Sequence, residues 1–464
     1  MNNKPVFSRY THEYAKEGKV ALFNSLRLRP VFISQRLYDL VKSYINEGNN
    51  NLSETDLSLA KSTVEELKKQ KVIIPDEKYD DMVIDRFKAI TGKPAIRVAY
   101  FIMTDKCNFN CSYCFMMKEQ EKGHLKRLGK MKPEVAKLAL NTFAKWSYTN
   151  DEDDRMIIFY GGEPLLNFPI IRQIVLDAEK LKEEDKLAKD TKFAIVTNGS
   201  LLTDEIAVFM KEHKIGIGIS IDGDSLVTNS SRVFVNGEPT FDKIMQAIDT
   251  CKRNGCDDFS LSVTISKSCL ENFGNTIDFL VNKVESNNIG YNILMNLDGD
   301  EKESEEYAIA ASKFIIKSFE IFRKKGIYED RIMRKVKSFV DGKVHLFDCA
   351  ACGGNQLVFA PDGSIGICHG FLGTKNYFSG SIFDPDFSPE KNQDFLEWSK
   401  RSPVNMEECQ NCPALGICGG GCPFNAYQQE KSIWALDKRF CIHAKMTSEW
   451  LIWDLYQNSN KENQ

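Results

Sequence analysis

Three cysteines, Cys107, Cys111 and Cys114, have the spacing C-x3-C-x2-C, and this spacing constrains the chain more than any other feature. One short loop can bring the three thiolates to a single point. A structural zinc site takes four protein ligands and closes the metal, whereas three ligands leave a position free. The apolar run 96–104 precedes the loop and predicts a strand whose carboxyl end carries it, which is where parallel barrels place functional loops.

The cysteine loop resembles that of the radical SAM superfamily. The resemblance implies that the three cysteines hold a 4Fe-4S cluster and that S-adenosylmethionine (SAM) chelates its open iron. In that family the residue before the third cysteine is aromatic, and here it is Tyr113. On spacing alone, a zinc knuckle or three unrelated thiols is the alternative, although cysteine clusters in cytosolic proteins are usually metal-binding or catalytic.

Length and composition narrow the class of protein. A chain of 464 residues is too long for one ordinary core, so two or three domains are expected. A net charge of -4 gives no reason to expect nucleic acid as a partner. The amino terminus lacks the apolar core of a signal peptide, and no stretch is apolar enough to span a membrane. We therefore expect a cytoplasmic protein whose 14 cysteines are metal ligands more readily than disulfides.

Residues 1–93 are predicted to form a winged-helix-like α+β domain and a linker. The pattern indicates a hairpin (19–24 and 28–34), two helices (35–45 and 54–70) and a short strand (72–74), with Ser53 as the start signal of the second helix. Many radical SAM enzymes that modify ribosomally made peptides carry such a unit. The resemblance implies that the leader of a precursor peptide adds as a strand along an exposed edge; the alternative is a packing domain that binds nothing.

Residues 94–340 are predicted to form a partial (β/α)6 TIM-like barrel, so the fold class is α/β. Short apolar runs alternate with amphipathic helical stretches, as in consecutive β-α units on a parallel sheet. The predicted strands are 96–104, 155–160, 193–197, 215–221, 259–265 and 289–295. Six such units match the radical SAM fold.

Small and polar residues follow three successive predicted strands. They are Gly161, Gly162, Glu163 and Pro164, then Thr197 and Asn198, then Ser220 and Asp222. Glycines let backbone approach a ligand closely, and small polar side chains can bind ribose and carboxylate groups. The resemblance implies that these positions and Tyr113 bind SAM. Cys251, Cys256 and Cys269 lack ligand spacing and are interpreted as buried thiols.

Residues 341–464 contain eight further cysteines and resemble the SPASM domain of radical SAM maturases. The resemblance implies two auxiliary 4Fe-4S clusters. The first would be held by Cys349, Cys352, Cys368 and Cys422, and the second by Cys409, Cys412, Cys418 and Cys441. The spacing from Cys349 to Cys352 is unusually tight for this family, so Cys349 is the uncertain ligand. Without Cys349, the first auxiliary cluster would have an open iron that could bind a substrate thiolate. Two zinc sites are the alternative for the same eight thiols.

The predicted activity follows from the resemblance. An electron donor such as flavodoxin or ferredoxin would drive reductive cleavage of SAM to a 5′-deoxyadenosyl radical, and the substrate would be a ribosomally synthesised precursor peptide that gains a thioether or carbon crosslink. The alternatives are an anaerobic sulfatase maturase, which forms formylglycine, and a non-catalytic zinc scaffold. Sulfatase maturases lack the leading domain and carry an aspartate base where this chain has His369. By position, His369 and Asp298 are the candidate proton acceptors.

Overall fold

The computed structural model describes residues 5–47, 52–118, 127–147, 155–295 and 301–462. Its strands are β1 (Val6–Phe7), β2 (Thr11–Lys16), β3 (Lys19–Asn24), β4 (Arg29–Ser34), β5 (Ile73–Ile74), β6 (Val98–Thr104), β7 (Met156–Gly161), β8 (Lys192–Thr197), β9 (Ile215–Ser220), β10 (Ser260–Ile265), β11 (Asn288–Ile293), β12 (Tyr328–Glu329), β13 (Gln356–Phe359), β14 (Ser364–Gly366) and β15 (Gly380–Ser381).

The α-helices bounded by described residues connect and cover these strands. They are α1 (Gln35–Glu47), α2 (Glu54–Lys69), α3 (Lys78–Ala89), α4 (Pro133–Ser147), α5 (Phe168–Glu183), α6 (Asp204–Glu212), α7 (Ser225–Asn229), α8 (Phe241–Arg253), α9 (Lys267–Glu271), α10 (Phe273–Phe279), α11 (Glu301–Lys325), α12 (Asp330–Asp341), α13 (Gln393–Lys400), α14 (Leu415–Cys418), α15 (Pro423–Glu430) and α16 (Lys438–Glu462). Among the described residues, no helix has the length and apolar character that a membrane span requires.

The centre of the fold is a parallel sheet in which β6 to β11 lie side by side in chain order. Along each strand, side chains alternate between two faces. Phe101, Phe159 and Ile217 point outward and are buried against the helices. The inner face carries small or polar residues such as Gly218 and Ser262. This alternation confirms the predicted α/β class and the partial barrel.

The sheet is wider than the six strands that the sequence predicts. Strand β13, which belongs to the cysteine-rich segment, pairs in parallel with β6 and places Gln356 beside Val98. Strands β14 and β15 continue the sheet in antiparallel order, and β12 pairs with β11 at the other edge. An uncovered β6 would present unpaired backbone groups, and β13 satisfies them. The cysteine-rich segment, residues 341–464, therefore shares a sheet with the barrel.

The first ninety residues form a three-stranded antiparallel sheet, β2-β3-β4, covered on one face by α1 and α2. As predicted, Ser53 caps α2, because its hydroxyl accepts a 3.1 Å hydrogen bond from the Asp56 amide. Strand β2 was not predicted, since its mostly polar sequence, THEYAK, gives a weak hydrophobic alternation. Strand β5 pairs with β1 instead of joining the sheet.

The other face of this small sheet packs on the carboxy-terminal part of the chain. The Phe23 ring stacks on Phe339 of α12 at 5.3 Å between centroids. The Phe32 ring lies 6.1 Å from Trp453 and 4.9 Å from Tyr456, both on α16. These aromatic contacts fix the first unit beside the cysteine-rich segment.

Candidate active site

The double glycine after β7 packs directly against the cysteine loop. The Gly162 amide donates to the carbonyl of Thr104 at 2.9 Å, and the next amide, of Glu163, donates to the carbonyl of Lys106 at 2.9 Å. A Cβ atom on Gly162 would overlap the Lys106 carbonyl oxygen and lie 2.9 Å from the Cys107 nitrogen. Gly161 has a φ of +138°, which favours glycine. These glycines therefore hold the second loop against the first.

Glu163 joins the ends of β7 and β8. Its fully buried carboxylate accepts hydrogen bonds from the Leu165 amide (3.0 Å), the Thr197 hydroxyl (2.7 Å) and the Asn198 amide (2.8 Å). Burial raises the pKa of Glu163 to about 7, although the three hydrogen bonds oppose the shift. Pro164 begins a single 3-10 turn. Both oxygens of Glu163 are thus occupied by protein groups.

Asn198 reaches from β8 into the cysteine loop. Its amide nitrogen donates to the side-chain oxygen of Asn108 at 2.9 Å and lies 3.8 Å from the Cys107 sulfur. The Asn108 amide in turn donates to the Ser200 hydroxyl at 2.8 Å. Ser220 is half-buried at the end of β9, opposite Ser262 of β10. The structure therefore brings together the polar residues at three successive strand ends.

A buried ion pair lies beside Tyr113. The Tyr113 phenol donates to Asp222 at 2.5 Å, and the Arg232 guanidinium makes two hydrogen bonds of 3.0 Å to the same carboxylate. Burial opposes the charge of Arg232, but Asp222 and Tyr113 hold its pKa well above the ordinary value. Burial also raises the pKa of Tyr113. Sequence reasoning missed Arg232, because a single arginine after a short helix has no diagnostic spacing.

The three loop thiols lie close enough to influence one another. Burial raises the pKa of Cys107 to about 12, and Glu163 and the thiols of Cys111 and Cys114 add to the shift. Burial also raises the pKa of Cys111 to about 11, although Arg232, which hydrogen-bonds its sulfur, lowers it. The three thiols are thus neighbours in one loop, and their assignment as the ligands of one cluster stays a prediction.

The eight carboxy-terminal cysteines gather into two sets. In the first set, the sulfurs of Cys349 and Cys352 are 3.5 Å apart, and Cys368 is influenced by Cys422 and Cys349. In the second set, burial and three neighbouring thiols raise the pKa of Cys441; those neighbours are Cys409, Cys412 and Cys418. We call these the first quartet and the second quartet. The two names follow the two predicted ligand sets, whose ligation stays a prediction.

A cavity of about 650 Å³ borders the second quartet, with Cys409, Cys412 and Cys441 in its wall. A space of this size suits a group larger than one ion, as an iron-sulfur cluster is. In the first quartet, Cys352 is buried, Cys368 and Cys422 are partly buried, and Cys349 is exposed. Across the described ranges, no three His, Cys, Asp or Glu side chains converge closely enough for a single metal ion. Cys251 and Cys269 are packed in the core, as expected.

His369 lies in a chamber of aromatic rings. Its ring is stacked on Tyr100 at 4.6 Å and lies 4.8 Å from Tyr160 and 5.9 Å from Phe115. Burial lowers the pKa of His369 to about 4, so the ring is neutral at pH 7. Charges on Cys114 and Cys368 both influence Tyr160, so the chamber lies between the cysteine loop and the first quartet. The other candidate, Asp298, lies outside the described residues.

Two further cavities are relevant to a large substrate. A cavity of about 390 Å³ lies on the inner face of the barrel and includes Gly218, Ser262 and Asn292 in its wall. A groove of about 510 Å³ follows the outer edge of β4, with Phe32, Val340 and Leu455 in its wall. Strand β4 pairs only with β3 in the described part of the chain, so its second edge is free.

Residues 101–280 match the family model of the radical SAM superfamily. This match covers the cysteine loop, the double glycine and the polar strand ends described above. This segment is therefore a radical SAM domain, and the chain is a radical SAM enzyme, as the sequence predicted. Such a domain implies SAM and a 4Fe-4S cluster.

Two curated relatives are similar to this chain over long stretches. It is 24% identical over 477 residues to the radical SAM cyclopropyl synthase TigE of Paramaledivibacter caminithermalis, a match that covers 96% of this chain and 95% of TigE. It is 25% identical over 328 residues to a cysteine-type anaerobic sulfatase-maturating enzyme of Clostridium perfringens strain 13, which covers 68% of this chain and 85% of that enzyme.

Solved structures share the fold. The enzyme anSMEcpe with bound AdoMet and the Cp18Cys peptide superposes with a TM-score of 0.64 at 19% identity, over 79% of this chain and 99% of that chain. SuiB of Streptococcus suis, bound to its precursor peptide SuiA, superposes with a TM-score of 0.50 at 14% identity, over 94% and 99%. Both likenesses confirm the fold class; the assignment of individual ligands stays a prediction.

Proposed function

We propose that this enzyme is a peptide maturase that abstracts hydrogen from a residue of a ribosomally synthesised precursor peptide and forms a carbon or thioether crosslink. The observation that carries the proposal is the groove beside β4. A free strand edge supplies main-chain donors and acceptors, and an extended peptide can add to it as a further strand. The leader of the precursor is the segment that we assign to this groove.

The groove also offers apolar contacts for alternate side chains of such a strand. Val340 is 78% exposed and Leu455 is 42% exposed, although both are large and apolar. Exposed apolar residues grouped in one groove are typical of an interaction site. Phe32, on β4 itself, completes the same wall. A peptide that pairs with β4 would cover these side chains.

The similarity to TigE favours the carbon bond over the thioether. That similarity extends over nearly the whole of both chains, so it includes the amino-terminal unit as well as the cysteine-rich segment. A cyclopropyl synthase closes a ring of carbon atoms, and we transfer this type of product to the present chain as a proposal.

Within this proposal, Cys107, Cys111 and Cys114 hold the SAM-binding cluster, and the two quartets hold auxiliary 4Fe-4S clusters. A 4Fe-4S cluster held by these three cysteines would supply the electron for the reductive cleavage of SAM. The residues at the strand ends position SAM over the barrel. The chain has two other tasks, which are to exclude water and to hold one substrate carbon close to the radical. The aromatic chamber around His369 suits both tasks.

Formation of formylglycine on a sulfatase is the second candidate function. It is favoured by the 25% identity to the Clostridium perfringens enzyme over 68% of this chain. The resemblance places an aspartate base at the position of His369 in such enzymes, and this histidine counts against the candidate. The groove beside β4 also has no role in it.

Mass spectrometry of reaction products distinguishes the two functions. The anaerobically reconstituted enzyme would be incubated with SAM, reductant and each small peptide encoded beside its gene, and in parallel with a cysteine-containing sulfatase peptide. We expect one neighbouring peptide to lose a pair of hydrogen atoms and 5′-deoxyadenosine to accumulate. Formylglycine on the sulfatase peptide, with every neighbouring peptide unchanged, would contradict the proposal. The Cys107→Ala variant is the control and should form neither product.

A further inference from the structure

Helix α12 carries three cationic side chains on the face that packs against the protein interior. Arg331, Arg334 and Lys335 are spaced i, i+3 and i+4, so they share one face of the helix. Arg331 is 9% exposed and Lys335 is 4% exposed, while the side chain of Arg334 is 31% exposed. We call these three residues the cation stripe. Lysine and arginine are rarely buried unless a charged partner lies beside them.

The carboxylates near the stripe neutralise only part of its charge. Arg334 pairs with Asp330 at 3.0 Å and lies 3.8 Å from Asp348. Glu329 is fully buried, but its oxygens cap α12 by accepting from two backbone amides. Lys335 donates only to the Arg331 carbonyl, at 3.4 Å, and forms no ion pair in the described part of the chain.

Arg331 also forms no ion pair with a carboxylate in the part of the chain that the structure describes. Its Nε donates to the Tyr291 carbonyl at 2.8 Å, and its guanidinium lies 4.7 Å from the centre of the Phe440 ring. Burial and the neighbouring Arg334 lower its pKa from the ordinary value. Burial likewise lowers the pKa of Lys335 to about 8. Two of the three cations therefore have no ion-pair partner in the described part of the chain, although Asp348 is near enough to interact with all three.

Several donors around the stripe have no acceptor. Nη1 of Arg331 and Nε of Arg334 are buried without a partner among the described residues. The fully buried ring of His443 has no hydrogen-bond partner at either nitrogen among the described residues. Leaving a buried donor without an acceptor is unfavourable, so these unpaired polar atoms indicate that an acceptor belongs between them.

The stripe lies between the two quartets. Nη1 of Arg334 donates to the carbonyl of Asp348 at 2.7 Å, directly before Cys349 of the first quartet, whose charge acts on Arg334. Helix α12 also packs against α14, the short helix that ends at Cys418 of the second quartet. His443 follows Cys441 by two residues. One face of α12 therefore lies near thiols of both quartets.

We propose that the cation stripe is the counter-charge of two anionic iron-sulfur clusters, with Arg334 acting on the first quartet and Lys335 on the second. This inference rests on the proposed function, which places a cluster in each quartet. A cluster held by four thiolates is an anion, and its reduction potential depends on nearby charge and on hydrogen bonds to its sulfurs. Cations at this position stabilise the extra electron, so they raise both potentials.

Reduction potentials of the holoenzyme test the inference. The auxiliary clusters would be titrated anaerobically and followed by electron paramagnetic resonance in the wild type and in Lys335→Met, Lys335→Arg and Lys337→Met. Lys337 is exposed on the same helix, so its variant is the matched control. We expect the potential of the second cluster to fall in Lys335→Met, with a smaller fall for the first. Both potentials should be retained in Lys335→Arg and Lys337→Met.

Two results would overturn the inference. The first is a Lys335→Met enzyme with a full complement of iron and wild-type potentials. The second is a Lys335→Arg enzyme that behaves like Lys335→Met, since a cation would then be immaterial. If Lys335→Met does not assemble its second cluster, assembly in Lys335→Arg still supports a role for charge. If the wild-type protein held iron in the SAM-binding loop alone, the quartets would hold no clusters. That result would contradict the proposed function itself, and it would be seen before any variant is made.

Discussion

The phenol of Tyr113 donates a 2.5 Å hydrogen bond to Asp222, and this bond ties the cysteine loop after β6 to the end of β9. Asp222 also receives both hydrogen bonds of Arg232 and a 2.9 Å bond from the Thr264 amide. The Tyr113 ring also lies 5.4 Å from the guanidinium carbon of Arg232, so both its hydroxyl and its ring contact this network. The geometry of the loop depends on this network.

Breaking the buried ion pair should lower the free energy of unfolding more than removing the Tyr113 hydroxyl does. Asp222→Asn leaves the Arg232 cation without a charged partner, which costs about 3–5 kcal/mol for buried pairs. Tyr113→Phe removes a single hydrogen bond to a charged group, at about 1.5–3 kcal/mol. Urea unfolding of both variants measures the difference. A smaller loss in Asp222→Asn than in Tyr113→Phe would contradict this ranking.

Gly162→Ala should displace the cysteine loop. The added methyl would overlap the Lys106 carbonyl, which is backbone and cannot turn aside. We expect the variant to bind much less iron in its SAM-binding loop than the wild type does. Gly274→Ala is the matched control, because nothing lies within 4 Å of its added Cβ. Equal iron content in the two variants would show that the close contact is unimportant.

The sequence predicted the site better than it predicted the edges of the sheet. Cysteine spacing and glycine-containing strand ends are local signals, and strands β6 to β11 are apolar enough to stand out. In contrast, β2 is largely polar, and the pairing of β13 with β6 joins Gln356 to Val98 across most of the chain. No local pattern encodes such a partner.

The roles of individual site residues were also beyond the sequence. Glu163 follows a double glycine, which suggests a ligand contact, but its carboxylate is occupied by the Leu165, Thr197 and Asn198 donors. Arg232 and the cation stripe have no motif, because ion pairs form between residues whose positions only the tertiary fold determines. The division of the eight carboxy-terminal thiols into two ligand sets comes from the resemblance to the SPASM domain, and it stays a prediction.

Charges in the groove should weaken binding of the leader. Val340→Asp and Leu455→Asp each place a carboxylate where the proposal requires an apolar contact. We expect each to lower the affinity for the labelled leader of the modified precursor by roughly tenfold, which is about 1.4 kcal/mol. Fluorescence polarisation measures this affinity. Val208→Asp, on the exposed face of α6, should bind like the wild type; if all three variants did so, the groove would not be the docking site.

Stability should fall at acidic pH partly through His12. Burial lowers the pKa of His12 from 6.5 to about 4. Between these values the unfolded chain binds a proton that the folded chain does not, so this stabilising contribution is present above pH 6.5 and is lost as the pH falls toward 4. Because the ring is only partly buried, we expect a loss of about 1–3 kcal/mol.

The variant His12→Gln isolates this contribution, since glutamine does not titrate. Its free energy of unfolding, measured in urea, should decline less than that of the wild type between pH 7 and pH 4.5. Parallel pH dependence in the two proteins would mean that His12 gains its proton in the folded state as readily as in the unfolded chain.

We propose that this radical SAM enzyme carries three clusters, and the content of iron and acid-labile sulfide in protein purified without oxygen tests this number. Three 4Fe-4S clusters predict about twelve irons and as many sulfides per chain, with a brown colour that bleaches on reduction. Colourless protein that contains about two zinc ions, the number that eight thiolates can close, would contradict the account.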